Sequence, residues 1–237
     1  MSEWAPRRFY TQAHVVDTDG GFILHLDARP LRTPGKAPLV VPTRGLAEAM
    51  AEEWQAQPEK IDPRTMPFTR TANTAIDKVA PQHAEVADML AEYGDCDLLC
   101  YRAESPADLV ARQAAGWDPM LDWAEAQLGA RLHPVTGLMH RPQPAEAVEV
   151  LRARTHALSP FELAAFHDLV ALSGSLVLGF AATVPDHSAE AIWALSRLDE
   201  TFQQELWGED EEAQAAAEVK LQAFLHAHRF FAHCRTA

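Results

Sequence analysis

Cysteine is scarce and its spacing is unproductive: there are three, Cys96, Cys100 and Cys234. An odd count, with three residues between the first two, suits neither a disulfide framework nor a zinc site, and fits a reducing compartment. Cations are also few, 20 Lys and Arg against 34 Asp and Glu, for a net charge of −14. Binding to nucleic acid requires a dense cationic footprint, so DNA or RNA is excluded as principal partner, and an anionic membrane surface is disfavoured by the same repulsion. No apolar run approaches the ~20 residues of a spanning helix. The opening Met-Ser-Glu-Trp-Ala-Pro-Arg-Arg has no apolar signal core and is short for a transit peptide. A cytoplasmic protein is therefore expected, or one in a matrix-like compartment after processing.

Catalytic patterns are missing as well. Gly174-Ser-Leu-Val-Leu-Gly179 has the glycine spacing of a phosphate loop, but Phe180 stands where lysine is needed. No Gly-x-Gly-x-x-Gly follows a strand, and the flanks of Ser175 do not make a nucleophile elbow. His226 and His228 are two apart on a predicted helix and point to different faces, so they do not share an ion, and with His233 they read as solvated or cap-adjacent histidines near a helix C-terminus. His133 and His140 fall in a proline-rich connection without a partner set. No cofactor and no metal are expected.

What is present is an ordinary globular composition, 48% hydrophobic and 23% charged over 237 residues, enough for one large domain or two modest ones. The pattern reads as α+β. Strands are predicted at residues 8–16, 22–26 and 39–41, with Asp19-Gly20-Gly21 as the first turn. Thr43 caps a helix on which Leu46, Met50 and Trp54 form one apolar stripe. Residues 1–79 make this small β-rich unit, and residues 80–237 make a larger, mainly helical domain. In the latter, Val86, Met89, Leu90 and Tyr93 share a face that ends at Gly94. Ser105-Pro106 and Asp118-Pro119 are predicted helix starts. Residues 132–144, with three prolines, read as an extended connection. Ser159-Pro-Phe-Glu162 is a capping box. The apolar segment that follows, to Phe180, is a buried helix or two helices broken near Gly174. Ser188 caps a helix with Leu195, Leu198, Phe202 and Leu206 inward, and a last helix spans about 210–232 with Leu221, Phe224, Leu225, His228 and Phe231 inward.

The stretch Ile61-Asp-Pro-Arg-Thr-Met-Pro-Phe-Thr-Arg-Thr-Ala-Asn-Thr-Ala-Ile-Asp77 is rich in hydroxyls and prolines without a catalytic pattern. Its first half reads as an ordered loop and its second half as a helix entry or turn. Three other pieces accompany it: Arg-Pro-Leu-Arg-Thr-Pro at 29–34, Glu-Trp-Gln-Ala-Gln at 53–57, and Ser-Arg-Leu-Asp-Glu-Thr-Phe-Gln-Gln-Glu-Leu-Trp-Gly at 196–208. In this order the set resembles the family of assembly chaperones for the α subunit of the F-type ATP synthase head, over about residues 9–231. The resemblance implies a non-enzymatic chaperone with the unassembled α subunit as client; a monomer is expected, although the sequence does not give the oligomeric state. Two alternatives stand beside it. One is a small acidic hydrolase with a carboxylate site between the domains, the other a holdase with no preferred client.

Arg197, Glu200, Gln204 and Glu205 lie off the predicted apolar stripe. With Glu209, Asp210, Glu211 and Glu212, the carboxylates form the strongest electrostatic feature of the chain. Acids favour a helix N-terminus, so a solvated helix start is one reading. The resemblance implies the other, a client-binding patch of Arg197, Glu200, Glu205 and Asp210. Trp54, on the 46–50–54 stripe, is expected to be a structural anchor rather than a client contact.

Overall fold

The computed structural model describes residues 7–137, 139–208 and 210–235. The fold is α+β, with a small N-terminal sheet and a larger helical part. Two compact units emerge. Unit 1 takes Met1–Gln82, Ser159–Ala165 and Arg229–Ala237, and unit 2 takes His83–Leu158 and Phe166–His228. The first division falls three residues past the expected 79, and unit 1 adds two later segments that local sequence patterns do not single out.

In unit 1, β1 (Ala13–Thr18) pairs antiparallel with β2 (Gly21–Leu26), placing His14 opposite His25 and Val15 opposite Leu24. The turn between them needs Gly21 at φ 134°, where a Cβ would meet the Val41 carbonyl. Two short strands, β3 (Arg29–Pro30) and β4 (Val40–Val41), also pair with β2. Helix α1 (Arg44–Gln55) packs on this sheet through Leu46, Ala47 and Met50. Thr43 caps it, its hydroxyl accepting from Leu46 N at 3.2 Å and donating to the His233 carbonyl at 2.5 Å.

Residues 61–77 are more helical than the prolines suggest. A 3-10 turn (Pro63–Thr65) leads into α2 (Pro67–Thr74) and then a π-helical turn (Ala75–Val79). Pro67 sits at the first helical position, where its missing N–H costs nothing. The cap is remote: Glu53 of α1 accepts from Phe68 N at 2.6 Å and Thr69 N at 2.8 Å. Burial raises the Glu53 pKa, opposed by these amide bonds. Asp77 accepts from the Thr33 hydroxyl (2.6 Å) and Gly35 N (2.8 Å), and Gln57 bonds Glu53 O, Thr65 Oγ1 and Asp62 N. The pieces that carry the family resemblance in this half of the chain are thus bonded to one another.

Unit 2 contains α3 (His83–Ala91), α4 (Ala107–Trp123), α5 (Ala145–His156), most of α6 (Pro160–Ser173), α7 (Leu176–Ala181), α8 (Ala189–Ser196), α9 (Leu198–Trp207) and most of α10 (Glu211–Arg235). Helix α3 packs on α5, and α4 on α7 and α9. The expected break near Gly174 is real: that residue has φ 72°, and Ser175 then caps α7. Asp97, fully buried, accepts from Leu99 N and Val177 N at 3.0 Å, and so joins two helix starts; burial pushes its pKa up.

Four expectations are corrected. Pro119 lies inside α4 rather than at a helix start, in a stretch where Trp117, Met120 and Leu121 are buried. Helix α4 begins at Ala107 with Pro106, not Ser105, at its cap position. Met89 is exposed, because α3 turns only Ala87, Leu90 and Ala91 inward. The predicted helix after Ser188 is two helices, α8 and α9, with Arg197 at φ −108°, ψ 14° between them. The connection at 132–144 also contributes a strand, β6 (Val135–Thr136), parallel to β5 (Tyr101–Arg102).

Candidate docking surface

Among the described residues, no group of three His, Cys, Asp or Glu side chains is placed to hold a metal ion, and no helix is long and apolar enough to cross a membrane. The described residues include several open hollows. In unit 1 a groove of about 620 Å³ is lined by Glu48, Glu52, Phe68, Arg229 and His233 among others. In unit 2 a cleft of about 530 Å³ is lined by Tyr101, Arg102, Glu104, Gln113 and Asp199 among others. The cleft's polar groups are largely engaged with each other: Gln113 accepts from Ala103 N at 2.8 Å and donates to Asp199 at 2.7 Å, and Arg102 pairs with Asp118 at 2.8 Å.

The acids expected on α9 are all on the surface side of unit 2, yet each is engaged. Arg197 and Glu200 pair with each other at 2.6 Å, one turn apart, and the Arg197 guanidinium lies over the Trp193 ring. Glu205 receives two parallel hydrogen bonds from Arg112 of α4, at 2.8 and 2.7 Å. That bidentate bond holds the Glu205 carboxyl below the usual carboxylate range. Asp210 accepts from Glu212 N at 2.9 Å and Ala213 N at 3.2 Å, which makes it the cap of α10. Glu209 lies outside the described residues. Arg112 is the member that local sequence patterns miss: it sits 93 positions from Glu205.

Leu206 overturns its prediction. The expected stripe 195–198–202–206 ends on it, but only Leu198 and Phe202 are buried and Leu195 is half-buried; Leu206 is 59% exposed and Trp207 79%. Leu198, Phe202 and Leu206 share one face of α9, but that face is covered only as far as Phe202, and the helix ends at Trp207 with Gly208 (φ 92°) after it. Leu206 and Trp207 are thus two large apolar side chains, adjacent in sequence, bare at one helix end. The next helix continues the exposure: from Glu211 to Lys220 every residue but Ala217 is exposed, Val219 included.

Trp54 is placed otherwise. It packs against a small cluster of Tyr10, Leu26, Ile61 and Met66, with the Tyr10 ring edge-on at 5.8 Å and the Tyr10 hydroxyl donating to the Trp54 carbonyl at 2.7 Å.

Residues 7–125 match the family described as ATP12 chaperone protein. The crystal structure of Atp12 from Paracoccus denitrificans is 51% identical and covers 98% of this chain and 100% of its own, with a TM-score of 0.95. The Atu1473 protein of Agrobacterium tumefaciens is 44% identical, covering 96% and 86%, with a TM-score of 0.91. Among curated proteins, the mitochondrial protein atp12 of Schizosaccharomyces pombe is 27% identical over 219 residues, 87% of this chain and 75% of that one. A family match over half the chain and a solved relative at this identity agree with the fold just described, and the chain belongs to the ATP12 chaperone family.

Proposed function

We propose that this chaperone serves assembly of the F-type ATP synthase head, and that its client is the unassembled α subunit. The motifs at 29–34, 53–57, 61–77 and 196–208 support that choice of client. An α subunit waiting for its neighbours exposes apolar surface that drives aggregation. Covering such a surface requires shape and polar complementarity and no catalytic group. The observation that carries the reading is the bare apolar end of α9, Leu206 and Trp207, flanked by carboxylates. Arg197, Glu200, Glu205 and Asp210 are the polar residues proposed to meet the client. The protein works as a monomer, without cofactor or nucleotide hydrolysis, in the bacterial cytoplasm. Its affinity is lower than that of the final subunit contact, so release needs only the correct neighbour.

The test is aggregation of isolated α subunit, followed by light scattering. Purified chaperone is expected to suppress it near a one-to-one ratio without added nucleotide. Equal suppression of several unrelated unfolded proteins would contradict a dedicated client. ATP turnover that survives rigorous purification would contradict the non-enzymatic reading.

A further inference from the structure

The end of α9 is exposed but fixed. One turn before Leu206, Phe202 is buried, and the Arg112 guanidinium lies 5.1 Å over its ring while holding Glu205 in two hydrogen bonds. Gly208 N closes the last turn on the Gln204 carbonyl at 2.9 Å. Leu206 and Trp207 therefore stand on a helix whose preceding turn is anchored from α4. An apolar group held in its binding geometry loses little conformational entropy on docking, and tryptophan is prominent among residues that dominate interface energies.

The surrounding charge selects the occupant. Asp210, Glu211 and Glu212 follow within five residues of Trp207, all exposed. A second copy of the chain would bring the same carboxylates face to face, at a net charge of −14 each. An anionic lipid surface is repelled for the same reason. A protein pocket with an apolar floor and a rim of Lys and Arg satisfies both parts of the corner.

We propose that Leu206 and Trp207 form an apolar plug that enters such a basic-rimmed pocket on the partner protein, with Glu211 and Glu212 meeting the rim. The partner is the unassembled α subunit, on the functional reading given above. The plug supplies most of the affinity, and the carboxylates supply orientation and salt dependence.

The experiment measures the dissociation constant of purified α subunit for the full-length parent, Trp207→Ala, Trp207→Phe and the Glu211→Lys/Glu212→Lys double variant, at two salt concentrations. Melting temperature and sedimentation are recorded for each. Trp207→Ala is expected to bind about 30-fold more weakly, or worse, with an unchanged melting temperature. Trp207→Phe recovers most of the loss. The double charge reversal weakens binding about tenfold, mainly at low salt. Binding of Trp207→Ala within threefold of the parent overturns the plug. A parent that self-associates through this corner, and becomes monomeric in Trp207→Ala, also overturns it by naming another occupant. A parent that does not bind the α subunit at all refutes the assigned client, which separates that failure from failure of the plug.

Discussion

Two tryptophans close two helices of this protein, and their surroundings are opposite. Trp54, in the last turn of α1, is covered by Tyr10, Leu26, Ile61 and Met66. Trp207, the last residue of α9, is 79% exposed. The same side chain contributes to stability where it displaces water on folding, and remains available for binding where it does not. The α1 end packs on a core cluster of unit 1, whereas the α9 end is bare; on the reading proposed above, the first is an anchor and the second a docking group.

The largest effect should come from the covered site. Trp54→Ala is expected to lower stability by about 3 kcal/mol, the low end for an aromatic-to-alanine change in a core. The low end applies because Trp54 is only partly buried and its indole N–H is buried without a hydrogen-bond partner. Urea unfolding measures this; an unchanged midpoint would refute the anchor. Trp207→Ala is the complement, with stability within about 0.5 kcal/mol of the parent and the loss confined to client binding. A large stability loss there would dissolve the distinction between the two ends.

A smaller effect is expected at Asp210. Its side chain caps α10, so Asp210→Ala should cost about 1 kcal/mol, while Asp210→Ser or Asp210→Asn keeps the cap and removes the charge. Comparing the alanine and asparagine variants in client binding separates helix capping from docking: equal binding by both, at parental affinity, would leave Asp210 with capping alone.

The smallest effect is a pH dependence within unit 1. Burial works to raise the Glu162 pKa, but hydrogen bonds from Arg235 (2.6 Å) and Ser159 N (2.8 Å) outweigh it and bring the value below the ordinary one. A depressed carboxylate contributes stability that is complete above its unfolded pKa and is lost as pH falls through the folded value. Between about pH 6 and about pH 3, the parent should therefore lose more stability than Glu162→Gln. Parallel pH profiles for the two proteins would refute a role for this pair.

What the sequence disclosed depended on the range of the interaction. The Thr43 cap and the Ser159–Glu162 capping box are built from residues three apart, and both are present. The break at Gly174 follows from one residue's conformation. The helix at 67–74 shows in the sequence only as a helix entry or turn, because Glu53, outside the segment, supplies its cap. Pro119 misleads for a related reason, since the buried Trp117, Met120 and Leu121 lie in the helix that continues through it. Leu206 was illegible because periodicity reports which residues share a face, not how far a neighbouring helix covers that face. Arg112, which fixes Glu205 in place, carries no local signal at all. The motifs behind the family resemblance proved architectural in unit 1: Thr33 with Asp77, and Gln57 with Asp62 and Thr65. They identify the family without locating the docking surface.

The most direct test of the central claim is displacement. A complex of this chaperone with isolated α subunit, purified by size, is titrated with the α subunit's neighbour in the catalytic head, and the amount of free chaperone is measured. If the chaperone covers the interface meant for that neighbour, it is released in proportion to the neighbour added, without nucleotide, and the Trp207→Ala protein is released at lower concentrations. A stable three-component complex that retains the chaperone at saturating neighbour would contradict the account.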